Sequence, residues 1–149
     1  MQIEKRLEEL GIALPAPVQP AATYVRYVQT GNLLFISGTG PSKGHQSGKL
    51  GTDLTVEQGY AAARDVGIEL IATMKDAVGD LDRVKRVVKI LGMVNSAPDF
   101  SDQPKVINGC SDLMVEVFGE AGRHARSAVG FVALPNQIAV EIEVIVEVA

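Results

Sequence analysis

The run AVEIEVIVEV, residues 139–148, alternates with a period of two. Every even position from Val140 to Val148 is apolar, and the odd positions carry Glu141, Glu143, Ile145 and Glu147. Side chains along a strand point to opposite faces in turn, so this pattern predicts a strand with one face on a core. Ile145 among the glutamates predicts that the second face is not simply left in water. Upstream, Pro135-Asn136-Gln137 reads as a turn and Val129–Leu134 as a short strand.

The elements that cover the strand lie further upstream. Thr55 followed by Gln58 forms a capping box. Val56, Tyr60, Ala63, Gly67, Leu70 and Met74 then recur in steps of four and three, a single core-facing helical stripe that stops at Gly79. A second helix opens at Pro104 after the turn Asp99–Gln103, with Val106, Cys110, Leu113 and Val117 on one face and Ile107 and Met114 beside them. Val84–Asn95 is a long β-rich run. Thr23–Gln29 and Asn32–Thr39 flank Thr30-Gly31 as a hairpin. The expected order is β-β-α-β-α-β-β, an α+β domain whose mixed sheet is covered on one face by two helices. A second copy of the chain is the simplest cover for the other face. Residues 1–20 read as an N-terminal helix, Ile3, Leu7 and Leu10 on one side, and a Pro-rich arm through Pro15, Pro17 and Pro20; residues 21–149 form the domain.

The chain has 149 residues, 46% of them hydrophobic, and a net charge of −4. That balance argues against non-specific nucleic-acid binding, because an acidic chain repels the phosphate backbone. A single cysteine excludes an internal disulfide. No apolar run reaches membrane-spanning length, of about 18 residues, and the N-terminus has no signal-peptide core, so a cytoplasmic protein without membrane association is expected. The segment GHQSGKLG, residues 44–51, departs from a phosphate loop: Gly44 and Gly48 are too close, and Leu50 stands where Ser or Thr is needed. A flexible surface loop, free to act as a lid, is expected there. His45, His124 and Cys110 have no zinc-like spacing, so no metal is expected. Arg83, Lys85, Arg86 and Lys89 lack neighbouring aromatics and are expected to pair with Glu141, Glu143 and Glu147 within the sheet.

The most informative residue is Arg126, in a stretch otherwise made of small and apolar residues. An arginine there either snorkels to solvent or answers an anion, and its planar fork matches a carboxylate in two parallel hydrogen bonds. The run ARSAVGFVALPNQIAVEIEVIVEV, residues 125–148, resembles the C-terminal signature of the RidA (YjgF, or L-PSP endoribonuclease-like) family of reactive intermediate deaminases. Tyr24 with Gly31-Asn32 and Ser37-Gly38 is similar to that family's first hairpin. Asp99-Phe100 with Val106–Asn108 is similar to the entry to its second helix.

The resemblance implies a chorismate-mutase-like fold, a homotrimer with pockets between subunits, no cofactor, and hydrolysis of 2-imino acids to 2-keto acids and ammonia. Carried over residue by residue, Arg126 matches the arginine that grips the substrate carboxylate and Glu141 the glutamate of the hydrolytic water. Tyr24, Ser37, Gly38 and, more loosely, Asn108 match residues lining the pocket. Ala128 stands where the family often has cysteine; a role through the backbone carbonyl survives that change. Arg123 and His124 occupy the approach to Arg126, and the Val84–Phe100 segment and the N-terminal arm are longer than in short members. A non-catalytic small-carboxylate-binding or regulatory trimer, or an endoribonuclease or translation inhibitor, remains the alternative.

Overall fold

The computed structural model describes residues 1–17, 19–20, 22–42 and 47–149. Its elements are α1 (Gln2–Glu9), β1 (Tyr27–Thr30), β2 (Leu33–Thr39), α2 (Val56–Val78), β3 (Val84–Asn95), α3 (Gln103–Phe118), β4 (Ala125–Phe131) and β5 (Val140–Val148). The sheet runs β1-β2-β5-β3-β4. All neighbours are antiparallel except β3 and β4, which are parallel. The expected mixed α+β architecture is therefore present, with α2 and α3 packed on one face.

The alternation in β5 does what the pattern demands. Val140, Ile142, Val144, Val146 and Val148 are buried, and they meet Val87, Ile90 and Val94 of β3 in one core. The capping box of α2 forms: the Thr55 side chain accepts from the Gln58 amide, and the Gln58 side chain accepts from the Thr55 amide. Ala63, Gly67, Leu70 and Met74 are buried as the stripe requires. Tyr60 is only half-buried, because its hydroxyl leaves the core to donate to Asp112 Oδ2 at 2.9 Å on α3. The two helices approach closely at Gly109, where a Cβ would overlap the Tyr60 carbonyl. Leu7 of α1 joins the core, and Arg6 Nε donates to the Glu116 carbonyl at 2.9 Å.

Three expectations need correction. The strand expected at Val129–Leu134 is Ala125–Phe131 instead, set by pairing with β3 from Lys89↔Ala125 to Asn95↔Phe131. The first strand starts at Tyr27, not Thr23, so Tyr24 and Val25 lie before it. The second half of the 40–54 loop is anchored rather than flexible. Leu50 and Leu54 are buried, the Leu50 amide donates to the Asn95 carbonyl, and the Gly48 amide donates to the Gln137 carbonyl. Residues 43–46, including His45, lie outside the described residues, and so does any lid they form. Among the described residues no helix is long and apolar enough to cross a membrane.

Candidate functional site

Register places Arg126 beside Ile90, whose side chain is fully buried under the helices. Arg126 therefore points to the helix-covered face, at the edge where β4 meets α3. Asn108 and Ser111 stand three residues apart on α3 and so share a face. Arg126 Nη1 donates to Asn108 Oδ1 at 2.8 Å and to Ser111 Oγ at 3.2 Å. Among the described residues, Nε and Nη2 of Arg126 have no hydrogen-bond partner and Arg126 makes no ion pair. One nitrogen is thus fixed by the protein, and the adjacent Nε–Nη2 edge keeps the geometry that a planar two-oxygen anion fits. Ala128 follows on the same face, in register with Gly92, and packs on the core.

His124 adds a layer. Its Nδ1 sits 2.6 Å from the Gly122 carbonyl, which only a protonated Nδ1 can satisfy. Its Nε2 lies 2.9 Å from Ser111 Oγ. Burial holds this imidazole below its ordinary pKa, the Gly122 contact opposes that, and Arg126 adds to the lowering. Cys110 is fully buried on α3, and burial pushes its thiol up to about 12, against a smaller lowering by Arg126. It is a core residue, not a nucleophile or ligand.

Glu141 lies on the other face. It pairs with Met93, one step out of phase with the buried Val94 and Val140. The register of β2 against β5 shifts between Ile36 and Thr39, an extra-residue bulge at Ser37-Gly38. There the Glu141 carboxylate rests over Gly38, so closely that a Cβ on Gly38 would overlap Oε2. Ser37 is held by its own bonds: the hydroxyl donates to the Val25 carbonyl at 2.7 Å and the amide to the Arg26 carbonyl at 2.9 Å. Burial raises the Glu141 carboxyl above its ordinary pKa, and the charge of Glu143 adds to this. Tyr24, 46% exposed, stands on the segment that Ser37 ties down.

The structure thus sorts the expected residues into two groups. Arg126, Asn108 and Ala128 gather at the β4–α3 edge, while Ser37, Gly38 and Glu141 gather on the open face, with Tyr24 beside them. A cavity of about 430 Å³ on that open face includes Ser37, Phe35, Leu91 and Glu143 but neither Arg126 nor Glu141. The expected pairing of the basic cluster with the glutamates is not formed. Among the described residues no ion pair joins them. Arg83 donates to the carbonyls of Ala149 and Val78, and Arg86 donates to that of Arg123. Glu147 instead accepts from Asn32 Nδ2 at 3.2 Å. The register of β3 against β5 shifts between Val84 and Arg86 and between Val87 and Lys89. Among the described residues Arg86 stands opposite Glu147 without an ion pair, and Lys89 lines the open-face cavity with Glu143.

Sequence reasoning missed Ser111, which no motif marks, and placed His124 only at the approach to Arg126, bordering the pocket or on the surface. It also missed Arg26 and Glu69, buried at 9% and 3% exposure. Arg26 Nη2 donates to Thr39 Oγ1 at 3.0 Å, whereas Glu69 Oε2 has no hydrogen-bond partner. Among the described residues one carboxylate group, Glu4, Asp80 and Asp82, is tight enough for an ion. The Asp82 carboxylate already accepts from the amides of Gln2 and Ile3.

A mixed sheet with two helices on one face and a lone arginine at the edge of the parallel strand pair defines a class, and the comparisons agree with it. The family described as "YjgF/chorismate_mutase-like, putative endoribonuclease" matches residues 4–147. The chain belongs to that family. It is 49% identical over 150 residues to protein TCP17 of Trypanosoma cruzi, covering 98% of this chain and 94% of that protein. It is 31% identical to a 2-iminobutanoate/2-iminopropanoate deaminase of Dermatophagoides farinae, covering 91% of this chain and 93% of that protein. The crystal structure of Atu1372 from Agrobacterium tumefaciens, a protein of unknown function, superposes with a TM-score of 0.91 at 43% identity, covering 99% of this chain and 92% of that one.

Proposed function

We propose that this chain is a hydrolytic deaminase of reactive imines, converting 2-imino acids to 2-keto acids and ammonia in pockets completed between copies of the chain. The observation that carries the reading is the half-anchored Arg126, one nitrogen bound to α3 and its Nε–Nη2 edge without an internal anion. The mite relative's name supports the reaction class.

Arg126 of one copy holds the substrate carboxylate. Glu141 of another copy faces the imine carbon and takes a proton from water as its oxygen adds to the C=N carbon. That proton passes to the nitrogen, giving a carbinolamine; Glu141 then takes the carbinolamine hydroxyl proton and returns it to the amine as the C–N bond breaks, so ammonia leaves and the carbonyl forms. A carboxylate raised by burial is the better base for this step. Two half-sites on opposite faces meet when the β4–α3 edge of one copy docks on the open face of the next, as in a homotrimer.

The test couples a dehydratase, which releases 2-aminoacrylate or 2-iminobutanoate, to keto-acid formation. The chain is expected to accelerate release, and Arg126→Ala to abolish the effect. No acceleration for any amino-acid-derived imine removes the deaminase reading. A second reading, a non-catalytic carboxylate-binding trimer, is favoured by the fact that the Arg126 clamp is complete without Glu141. Thermal stabilisation by 2-oxobutanoate without turnover would select it.

A further inference from the structure

We infer that Ser111 and His124 are positioning residues that aim Arg126, forming a one-way hydrogen-bond relay from the Gly122 carbonyl to the guanidinium. The inference rests on Arg126 being the carboxylate clamp and extends that reading to two residues it does not include.

The direction of the relay follows from the donor inventory. The Gly122 carbonyl can only accept, so His124 Nδ1 carries the proton across their 2.6 Å contact. In the neutral ring, Nε2 is then an acceptor, and the Ser111 hydroxyl 2.9 Å away donates to it. With its proton committed, Ser111 Oγ offers a lone pair, and Arg126 Nη1 donates to it at 3.2 Å. Each bond fixes the polarity of the next. Asn108 Oδ1, at 2.8 Å, takes the other Nη1 proton. Both protons of Nη1 are thereby held, which fixes the plane of the guanidinium and the aim of its Nε–Nη2 edge. Asn108 alone leaves the plane free to rotate about that bond.

Protonation of His124 breaks this polarity. Nε2 becomes a donor, Ser111 must turn its own proton elsewhere, and a second cation stands beside Arg126. The charged groups around the ring are few. Arg126 approaches from β4. Arg123 is paired with Glu120 at 3.0 Å, and Arg86 donates to the Arg123 carbonyl. The Cys110 thiol on α3 is neutral. Burial first, and the Arg126 charge after it, hold the imidazole below its ordinary value, while the Gly122 contact opposes them.

The test has two arms. In the first, the ring resonances of the two histidines in the full chain, His45 and His124, are titrated by NMR, with His124→Gln giving the assignment. His124 is expected to titrate below its ordinary value, and both Arg126→Gln and Ser111→Ala to move it up. In the second, 2-oxobutanoate binding is measured by calorimetry from acidic to neutral pH. Ser111→Ala is expected to weaken binding about three- to tenfold, Ser111→Thr to restore it, and His124→Gln to flatten its pH profile, all with unchanged melting temperature. Binding lost in Arg126→Gln but unchanged in Ser111→Ala and His124→Gln would overturn the relay alone. Binding that survives Arg126→Gln would overturn the clamp reading and the relay with it, even if the NMR coupling is seen.

Discussion

Arg126 and Glu141 project from opposite faces of the same sheet. The register decides this. Arg126 aligns with Ile90 and Glu141 with Met93, positions of opposite parity on β3. No side-chain rotation lets a single chain bring the two onto one small substrate, so a shared site requires a second copy. The open face offers a surface for it: Phe35, Val129 and Phe131 are each about 40% exposed there and Val28 is 52% exposed.

That face supports a prediction about assembly. Phe35→Asp puts a charge on it and is expected to break the proposed trimer into monomers, lowering the proposed deaminase activity together with the molecular mass measured by light scattering. A wild-type chain that is monomeric at micromolar concentration contradicts the prediction.

Under the proposed mechanism Glu141 sets the pH dependence. Its carboxyl is raised by burial and by Glu143, so it loses its proton at higher pH than an ordinary glutamate. As a base it works when ionised, so kcat/KM is expected to rise with pH through that shifted value and then level. Glu141→Gln is expected to remove the limb and lower kcat by about 100-fold. A limb that persists in Glu141→Gln assigns it to another group.

Gly38 leaves room for that carboxylate. Gly38→Ala places a methyl where Oε2 now sits and must displace the Glu141 side chain. The expected outcome is a fall in kcat with the melting temperature nearly kept, because the carboxylate can swing aside while β2 stays paired. Unchanged kcat would detach Glu141 from the chemistry.

Gly109 tests the helix packing instead. A Cβ there meets the Tyr60 backbone, which cannot yield without parting α2 and α3. Gly109→Ala is expected to destabilise by about 1–3 kcal/mol in denaturant titration. A neutral result would mean the helices pack less closely than described.

The elements legible in sequence were those whose partners are local. The β5 alternation, the Thr55–Gln58 box and the start of α3 each follow from residues within a few positions. β4 was misplaced because Ala125, Ser127, Ala128 and Gly130 have weak strand preference. Its bounds come from parallel pairing with β3, a distant partner. The separation of Arg126 from Glu141 needs the register of both strands against β3, which no window contains. Ser111 becomes visible only when the phase of α3 is set against β4. The cluster from Arg83 to Lys89 was misread because the bulges of β3 break the alternation that pairing with β5 assumed.

Each proposed pocket draws Arg126 from one copy and Glu141 from the next, and mixed assemblies test that most directly. Arg126→Ala and Glu141→Gln chains, each expected to keep little or no activity alone, are co-expressed and purified together, and keto-acid release from a dehydratase-generated imine is measured. Random cyclic mixing leaves about one pocket in four with both residues intact, so activity near a quarter of wild type is predicted. Activity no greater than that of the separate variants, from assemblies shown to contain both chains, would contradict the account.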